Sequence, residues 1–441
     1  MLISEVIEQR KRSANASDIT KLLAKISDEQ VTLEGLSHRS DLDISTPASL
    51  VNEMLDRLFE NLNITPELTF LDPACGRGTF LRELRKRLLT NQSLIAAYPD
   101  LAKRDGHIRS RMLYGFEIEP AMVNVLQLQG YSNVQFQDAL AYTGDTMKFD
   151  VVIGNPPYQV KTGKEVEGVL QGRKTKSIYP SFMRLSMEIS KGYVSLITPY
   201  AWCALGASSI RDEMQPYLKI LEKNPLATFN AITETVWFLA TPKAKNSENF
   251  FPLGFFPRES SPAVASILLK LLRKKIPALS SKYSKGEVFR GELLHNAIGI
   301  SAGYPCIQGV GDEKNLDVVE LPKLGIEDSG RFTWKVIVPN AGASSSVLGR
   351  AKPIGPVFSV GGTVAFIPTS SELEAINLSM YLQSSLVKMI VRSVKATPIN
   401  SKALFDMIPD IGFEHNWTDA EIYAHFNLTE EEIAYIEAAC K

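Results

Sequence analysis

The chain has 441 residues, more than one average domain and enough for a large domain with a second beside it. Apolar residues make up 44% and charged residues 22%, so a full-sized core can be buried and disorder is excluded as the main state. Lys and Arg number 48 against 49 Asp and Glu; the net charge of -1 excludes a general polycation but not a nucleic-acid binder with a local basic face.

Residues 1–45 read as a helical segment without chemistry of their own, and no apolar signal-peptide core follows the charges of MLISEVIEQRKRSAN. Thr46-Pro47 then opens a periodic run (Ala48, Leu50, Val51, Met54, Leu55, Leu58), with Thr46 as the expected cap and Pro47 in the first turn. Leu68–Leu71 is a short apolar strand ending at Asp72, and the helix after it aligns Phe80, Leu81, Leu84 and Leu88 on one face. Further strands are expected at Met112–Phe116, Asn133–Phe136 and Phe149–Gly154, ending at Glu117, Asp138 and Asn155. Tyr193–Thr198 and Glu234–Leu239 follow. The uncharged stretch 192–210 contains Pro199 and Gly206 and reads as a buried strand then a loop, not a membrane span.

Short apolar strands separated by helical periods predict an α/β fold with a mostly parallel sheet covered on both faces. Ligands of such sheets sit outside the carboxyl ends of the strands. Asp72, Glu117, Asp138 and Asn155 all fall at those ends and point to one shared site. Between Thr241 and Glu259 the texture turns to Lys, Asn, Ser, Pro and Gly, which sets expected domains at 1–45, 46–245 and 246–441. The last of these is read as mixed α+β. Lys270, Arg273, Lys274, Lys275, Lys282, Lys285 and Arg290 form a basic cluster, and Lys388, Arg392 and Lys395 recur near helical spacing. Phe405 to Lys441 holds nine acids and one Lys, a segment expected to avoid DNA and to dock on the catalytic domain.

Asp72-Pro73-Ala74-Cys75-Gly76-Arg77-Gly78-Thr79 lies between a strand and a helix, and Gly76 and Gly78 let the backbone turn sharply against a ligand. It is no phosphate loop, and Leu81 stands where a dinucleotide motif has its third glycine. A nucleoside with an uncharged tail remains possible, as does a bare glycine turn. Glu117 can accept two hydrogen bonds from a ribose diol, and Asp138 can accept from the exocyclic amine of an adenine; either acid can instead be a helix cap. The residues from about Asn91 to Arg111 look like an insertion before Glu117, with Glu119 as its alternative.

The most specific signal is Asn155-Pro156-Pro157-Tyr158, where two prolines stiffen the chain directly after a strand. An aromatic exocyclic amine gives its lone pair to the ring and is a poor nucleophile. The Asn155 side-chain oxygen and the Pro156 carbonyl can each accept one N–H, which frees that lone pair, while Tyr158 stacks on the ring for about 1–3 kcal/mol. A base reaching such a pocket must leave its helix at a cost of a few kcal/mol.

DPACGRGTF followed by NPPY resembles the AdoMet-dependent N6-adenine DNA methyltransferases of restriction-modification systems, in the gamma arrangement typified by the Eco57I- and TaqI-like enzymes. The resemblance covers roughly residues 43–240 and, more loosely, 330 to 435. It implies a Rossmann-like methyltransferase domain, a C-terminal target-recognition domain, S-adenosyl-L-methionine as cofactor and double-stranded DNA as substrate. It further implies that Thr46 and Pro47 wrap the methionine end, that Asp72, Ala74, Gly76 and Gly78 form the cofactor loop with Asp72 near the ammonium, and that Glu117 and Asp138 hold ribose and adenine. Asn155, Pro156, Pro157 and Tyr158 become the catalytic motif. Tyr179 and Phe182 of the following SIYPSF segment wall the adenine or pack a helix, and Phe229 is similar in placement to a second ring stacking on the flipped base.

No covalent intermediate and no metal are required, and the four cysteines and five histidines show no CxxC or HExxH spacing. Lys161, Lys164, Arg173, Lys174 and Lys176 are expected on a flexible loop against DNA phosphates. The site needs one chain, which leaves the oligomeric state open; the protein is expected in the cytoplasm, with any cognate endonuclease a separate chain. Transfer to RNA adenine or a protein glutamine amide is the nearest alternative, and an inactive DNA-binding subunit a more distant one.

Overall fold

The computed structural model describes residues 46–440 apart from 146, 167–168, 207, 226–227, 230–232, 260, 286–303, 311–315, 322–332, 341–347, 357 and 396–398; before residue 46, only Thr20, Lys21, Ala24 and Lys25 are described. The expected N-terminal helical segment therefore lies almost wholly outside the described residues. Two compact units divide the chain, one of Met1–Trp202 with Ser209–Phe250, the other of Cys203–Ser208 with Phe251–Lys441.

The first unit is built on a seven-stranded sheet. In chain order its strands are β1 (Phe70–Asp72), β2 (Leu113–Glu117), β3 (Val134–Phe136), β4 (Phe149–Gly154), β7 (Ser190–Pro199), β8 (Leu218–Lys223) and β9 (Thr235–Ala240); β5 (Gln159–Val166) and β6 (Val169–Ser177) pair only with each other. The spatial order is β3-β2-β1-β4-β7-β9-β8. Strands β3 through β7 in that order run parallel, whereas β9 is antiparallel to both β7 and β8. The α/β, mostly parallel expectation is borne out. Successive strands step outward from β1 to β2 and β3, then on its other side to β4, so β1 and β4 flank the point where the winding reverses. That is where such sheets hold ligands.

Helix Ala48–Asn61 buries Leu50, Val51, Met54, Leu55 and Leu58, which recur every three or four residues and so share one face. Helix Thr79–Leu89 buries Phe80, Leu81, Leu84 and Leu88 in the same hydrophobic core as those residues and as Phe70, Val151 and Ile153 of the sheet. Each such side chain contributes about 1.5–3 kcal/mol. At the start of the two central strands, Asp150 Oδ2 accepts from the Thr69 N–H at 3.0 Å and hydroxyl at 2.8 Å. Those bonds help fix the register Phe70↔Val151, on which the geometry of the opposite strand ends depends.

The stretch before Glu117 is an ordered addition. Asn91 and Asp100 cap helices Gln92–Ala97 and Leu101–His107 through the N–H groups of Ser93 and Lys103. Arg85 on helix Thr79–Leu89 grips Asp105 with two bonds of 2.7 and 3.0 Å, and Arg109 meets the same carboxylate at 2.8 Å. The addition is thereby held beside the sheet while β2 pairs with β1 in register Phe70↔Leu113.

The second unit is mixed α+β. It contains an antiparallel four-stranded sheet that includes Trp334–Pro339 and Val364–Thr369, a three-stranded sheet, and helices including Pro262–Arg273, Glu372–Tyr381, Ser385–Val394, Asp419–His425 and Glu430–Ala439. Here the acidic tail differs from expectation: it docks within its own unit, against the basic cluster. Lys270 pairs with Glu432 at 2.6 Å, Lys282 with Asp410 at 2.8 Å, and Lys274 donates to the His425 carbonyl. Arg392 donates to the Ala439 carbonyl at 2.7 Å, and Lys395 is buried. Two of these five cations meet opposite charges far apart in sequence, two bond to backbone carbonyls and one is buried, so they do not form a free basic face. Thr418 with Glu421 and Thr429 with Glu432 form two capping boxes that start the terminal helices.

Candidate active site

Asp72 ends β1 and Gly154 ends β4, side by side in the sheet. Asp72 is 2% exposed, and a Cβ at Gly154 would stand 2.5 Å from its Oδ1, so only glycine lets the carboxylate lie against β4. That oxygen accepts the Ala74 N–H at 3.1 Å. Burial pushes the Asp72 carboxyl up to about 7; the Ala74 N–H opposes the rise and the charge of Glu117 adds to it.

The two loop glycines serve different ends. Gly76 has φ +47°, and a Cβ there would meet nothing within 4 Å, so the loop turns left-handed beside open space. Gly78, with φ +76°, is the N-cap of helix Thr79–Leu89, and a Cβ there would stand 2.6 Å from Leu126 Cδ2 on helix Pro120–Leu128. The loop is tied to the end of β2, since the Cys75 N–H donates to the Phe116 carbonyl at 3.0 Å. Cys75 itself is buried beneath it, and burial holds its thiol well above the ordinary range, which suits a packing role and not a nucleophile.

Glu117 is the carboxylate that reaches the glycine loop. Its Oε2 accepts the Gly76 N–H at 2.8 Å, and Oε1 accepts from Ile118 and Glu119 at 2.8 and 2.9 Å. Glu119, the alternative acid, is the N-cap residue of helix Pro120–Leu128 and makes no side-chain cap bond there. Asp138 is exposed, and its Oδ1 caps the short turn Ala139–Ala141 through the Leu140 N–H at 2.9 Å. Capping uses one of its oxygens; the other carries the remaining acceptor capacity. Sequence reasoning does not single out Ile118, Phe136 and Leu140, apolar side chains 68%, 66% and 39% exposed beside those two acids. The available signal is an apolar residue just past the polar end of a strand for Ile118 and Leu140; Phe136 closes its own strand and carries no such signal.

On the neighbouring strand end, Asn155 is partly buried, Pro156 buried, Pro157 exposed and Tyr158 partly buried. The Asn155 amide is held at both ends: Nδ2 donates to Thr46 Oγ1 at 3.1 Å, and Oδ1 accepts the Tyr158 hydroxyl at 2.9 Å. Burial raises the Tyr158 phenol far above neutral pH, so it stays a donor. The Tyr158 carbonyl accepts the Ile178 N–H at 3.0 Å, tying the loop to the SIYPSF segment. Thr46 is not the helix cap expected of it. Pro47 occupies the N-cap, where its ring can make no side-chain bond, and the Thr46 hydroxyl one residue earlier is bonded to Asn155.

Phe182 is 5% exposed and belongs to the interior, while Tyr179 begins helix Tyr179–Ile189 partly exposed. Phe229 is 6% exposed within the hydrophobic core that includes Ile197 and Trp237; stacking on a ligand would require it to leave that core. The segment after Tyr158 forms two paired strands, Gln159–Val166 and Val169–Ser177, where the sequence led to the expectation of a loop. Val160 lies opposite Lys176, Lys161 opposite Thr175 and Thr162 opposite Lys174, with an irregularity between Thr162 and Lys164. Alternating Val and Thr favour the strands. Lys176 is exposed; the side chains of Lys161, Lys164, Arg173 and Lys174 lie outside the described residues.

A glycine loop and an Asn-Pro-Pro-Tyr turn lie on adjacent strand ends, at the reversal point of the mostly parallel sheet of an α/β protein, and together make its candidate ligand site. Residues 108–228 match the family model described as Eco57I restriction-modification methylase, which bears out the resemblance carried by the motifs. The matched span contains Glu117, Asp138 and Asn155–Tyr158 and begins after the glycine loop. The chain is similar to an uncharacterized adenine-specific methylase of Mycoplasma pneumoniae, 22% identical over 293 residues, covering 48% of this chain and 65% of that protein.

Among solved structures it is similar to the type IIL restriction-modification enzyme MmeI, solved in complex with DNA, with TM-score 0.47, 13% identity and coverage of 96% of this chain and 69% of that one. A type I methyltransferase subunit from Streptococcus thermophilus gives TM-score 0.35 and 18% identity, covering 47% of this chain and 46% of that one. The chain thus spans less than two thirds of the curated relative it matches and under half of that subunit. Among the described residues, no helix is long and apolar enough to cross a membrane.

Proposed function

We propose that the protein is a site-specific DNA methyltransferase that transfers a methyl group from S-adenosyl-L-methionine to the N6 amine of adenine in duplex DNA. The observation that supports this most is the contact between Gly154 and Asp72, which brings the strand end before Asn155 against the start of the glycine loop. The residues suit that cofactor. Gly76 leaves open space where any other side chain would project, Glu117 presents a carboxylate to a diol, and Asp72 offers a buried negative charge to an ammonium. Ala74 and Gly78 shape the loop, Asp138 keeps an acceptor for the adenine amine, and Ile118, Phe136 and Leu140 provide apolar surface for a flat base. When bound, the cofactor supplies a methyl group on positively charged sulfur, ready for direct in-line transfer.

The flipped adenine presents its amine to Asn155 Oδ1 and the Pro156 carbonyl, which accept the two N–H groups and turn the nitrogen lone pair outward. Tyr158 gives up its bond to Oδ1 as the amine arrives and offers its ring for stacking. Pro156 and Pro157 hold the acceptors still, so little reorganisation is needed at the moment of reaction. The hairpin Gln159–Ser177 brings Lys161, Lys164, Arg173, Lys174 and Lys176 to the phosphate backbone, and the unit Phe251–Lys441 reads the target sequence. One chain suffices for this, working in the cytoplasm beside any separate cognate endonuclease.

The test is a transfer assay with methyl-labelled S-adenosyl-L-methionine on duplex DNA, ribosomal RNA and protein. Label in N6-methyladenine of duplex DNA is expected. Label confined to RNA or to a glutamine amide, or no transfer, refutes the proposal.

A further inference from the structure

Asn155 is a symmetrical-looking group with opposite ends. Only its oxygen can receive an amine's N–H; its NH2 end, turned the same way, would set donor against donor. A residue that gives the NH2 end an acceptor on the far side therefore decides how readily the oxygen is offered. Thr46 is in that position: it is 6% exposed, 109 residues away in sequence, and its Oγ1 accepts a hydrogen bond from Asn155 Nδ2 at 3.1 Å.

We infer that Thr46 is a positioning residue for the amide that receives the target amine, a role separate from any contact it makes with the methionine end of the cofactor. This rests on the methyltransferase reading proposed above. With Nδ2 engaged by Thr46, Oδ1 is free to turn to the site, where the Tyr158 hydroxyl now occupies it at 2.9 Å. That hydroxyl gives Oδ1 a partner in the absence of an amine, and leaves when one enters. The bond to Thr46 also polarises the amide, making Oδ1 a stronger acceptor as charge grows on the reacting nitrogen. The sequence offers a second sign: Thr46 stands one residue ahead of a helix whose N-cap is Pro47, so its hydroxyl is not spent on capping.

The experiment compares Thr46→Val, which keeps the shape and removes the hydroxyl, with Thr46→Ser, which keeps the hydroxyl. Turnover at saturating S-adenosyl-L-methionine and DNA is measured beside calorimetric affinity for the cofactor alone. Thr46→Val is expected to lower kcat about 5- to 100-fold, the rate equivalent of leaving one buried amide donor without an acceptor. Any loss of cofactor affinity should be clearly smaller than the loss of kcat, and Thr46→Ser should recover most of the turnover. The inference is overturned if Thr46→Val keeps kcat, if it weakens cofactor binding in proportion to its loss of activity, or if Thr46→Ser fails as badly as Thr46→Val. Melting curves identify a Thr46→Val protein that does not fold; Thr46→Ala, assayed identically, then takes its place. A wild-type protein that transfers no methyl to DNA refutes the underlying reading instead, an outcome separate from every result with the variants.

Discussion

Asp72→Asn tests whether a buried charge is held in place for a cationic ligand. A carboxyl that titrates near 3.9 unfolded and is pushed up to about 7 folded binds a proton that the unfolded chain has already released. The stability gained from that proton is complete below about pH 4 and is lost as pH rises through 7, roughly 4 kcal/mol in all and ~3 kcal/mol of it between pH 5 and pH 8. Asp72→Asn keeps an oxygen for the Ala74 N–H and carries no charge, so its stability lacks this slope. Calorimetric melts without cofactor should therefore show the variant gaining on the wild type by several degrees from pH 5 to pH 8. Cofactor affinity should move oppositely: wild-type binding tightens as pH rises through 7 and Asp72 ionises, while the variant binds more weakly and without that dependence. A stability difference that is flat with pH, or a wild type more stable than the variant at pH 8, would refute the reasoning.

Gly154→Ala places a methyl group 2.5 Å from Asp72 Oδ1 and should force the carboxylate off the Ala74 N–H; calorimetry on the folded variant should show at least about a 10-fold loss of cofactor affinity, and the clash should lower stability by about 1–3 kcal/mol. Arg85→Ala takes from Asp105, which is 6% exposed, the bonds of 2.7 and 3.0 Å and leaves it Arg109 as its charged partner; denaturant titration should give a loss of about 1.5–3 kcal/mol. Adding Asp105→Ala should cost less than the sum of the single changes, since the bonds between Arg85 and Asp105 are lost in either one. Strict additivity would show that the pair is not coupled.

The central strands were legible because each is a short apolar run stopped by a polar residue, the pattern that a sheet covered on both faces imposes on its strands. Asp72, Glu117 and Asn155 announce themselves in the same way. Strand direction beyond β7 was not legible: nothing in Thr235–Ala240, buried at every position, distinguishes an antiparallel neighbour from a parallel one. Thr46 could be read only as a cap or as part of a family motif, since its partner lies 109 residues away. The basic cluster between Lys270 and Lys282 resembled a phosphate-binding face because a one-dimensional charge pattern omits the partner, here Asp410 and Glu432. Likewise Cys203–Ser208 belongs to the second unit through its packing, although the sequence around it continues the first.

Base-resolved sequencing of modifications, in DNA from cells expressing either the wild type or Asn155→Ala, addresses the gripping of an adenine amine most directly. The wild type should leave N6-methyladenine at one recurring sequence, and Asn155→Ala should leave almost none while the purified variant still binds S-adenosyl-L-methionine. Equal methylation from both proteins, or modification of a different base, would contradict the account.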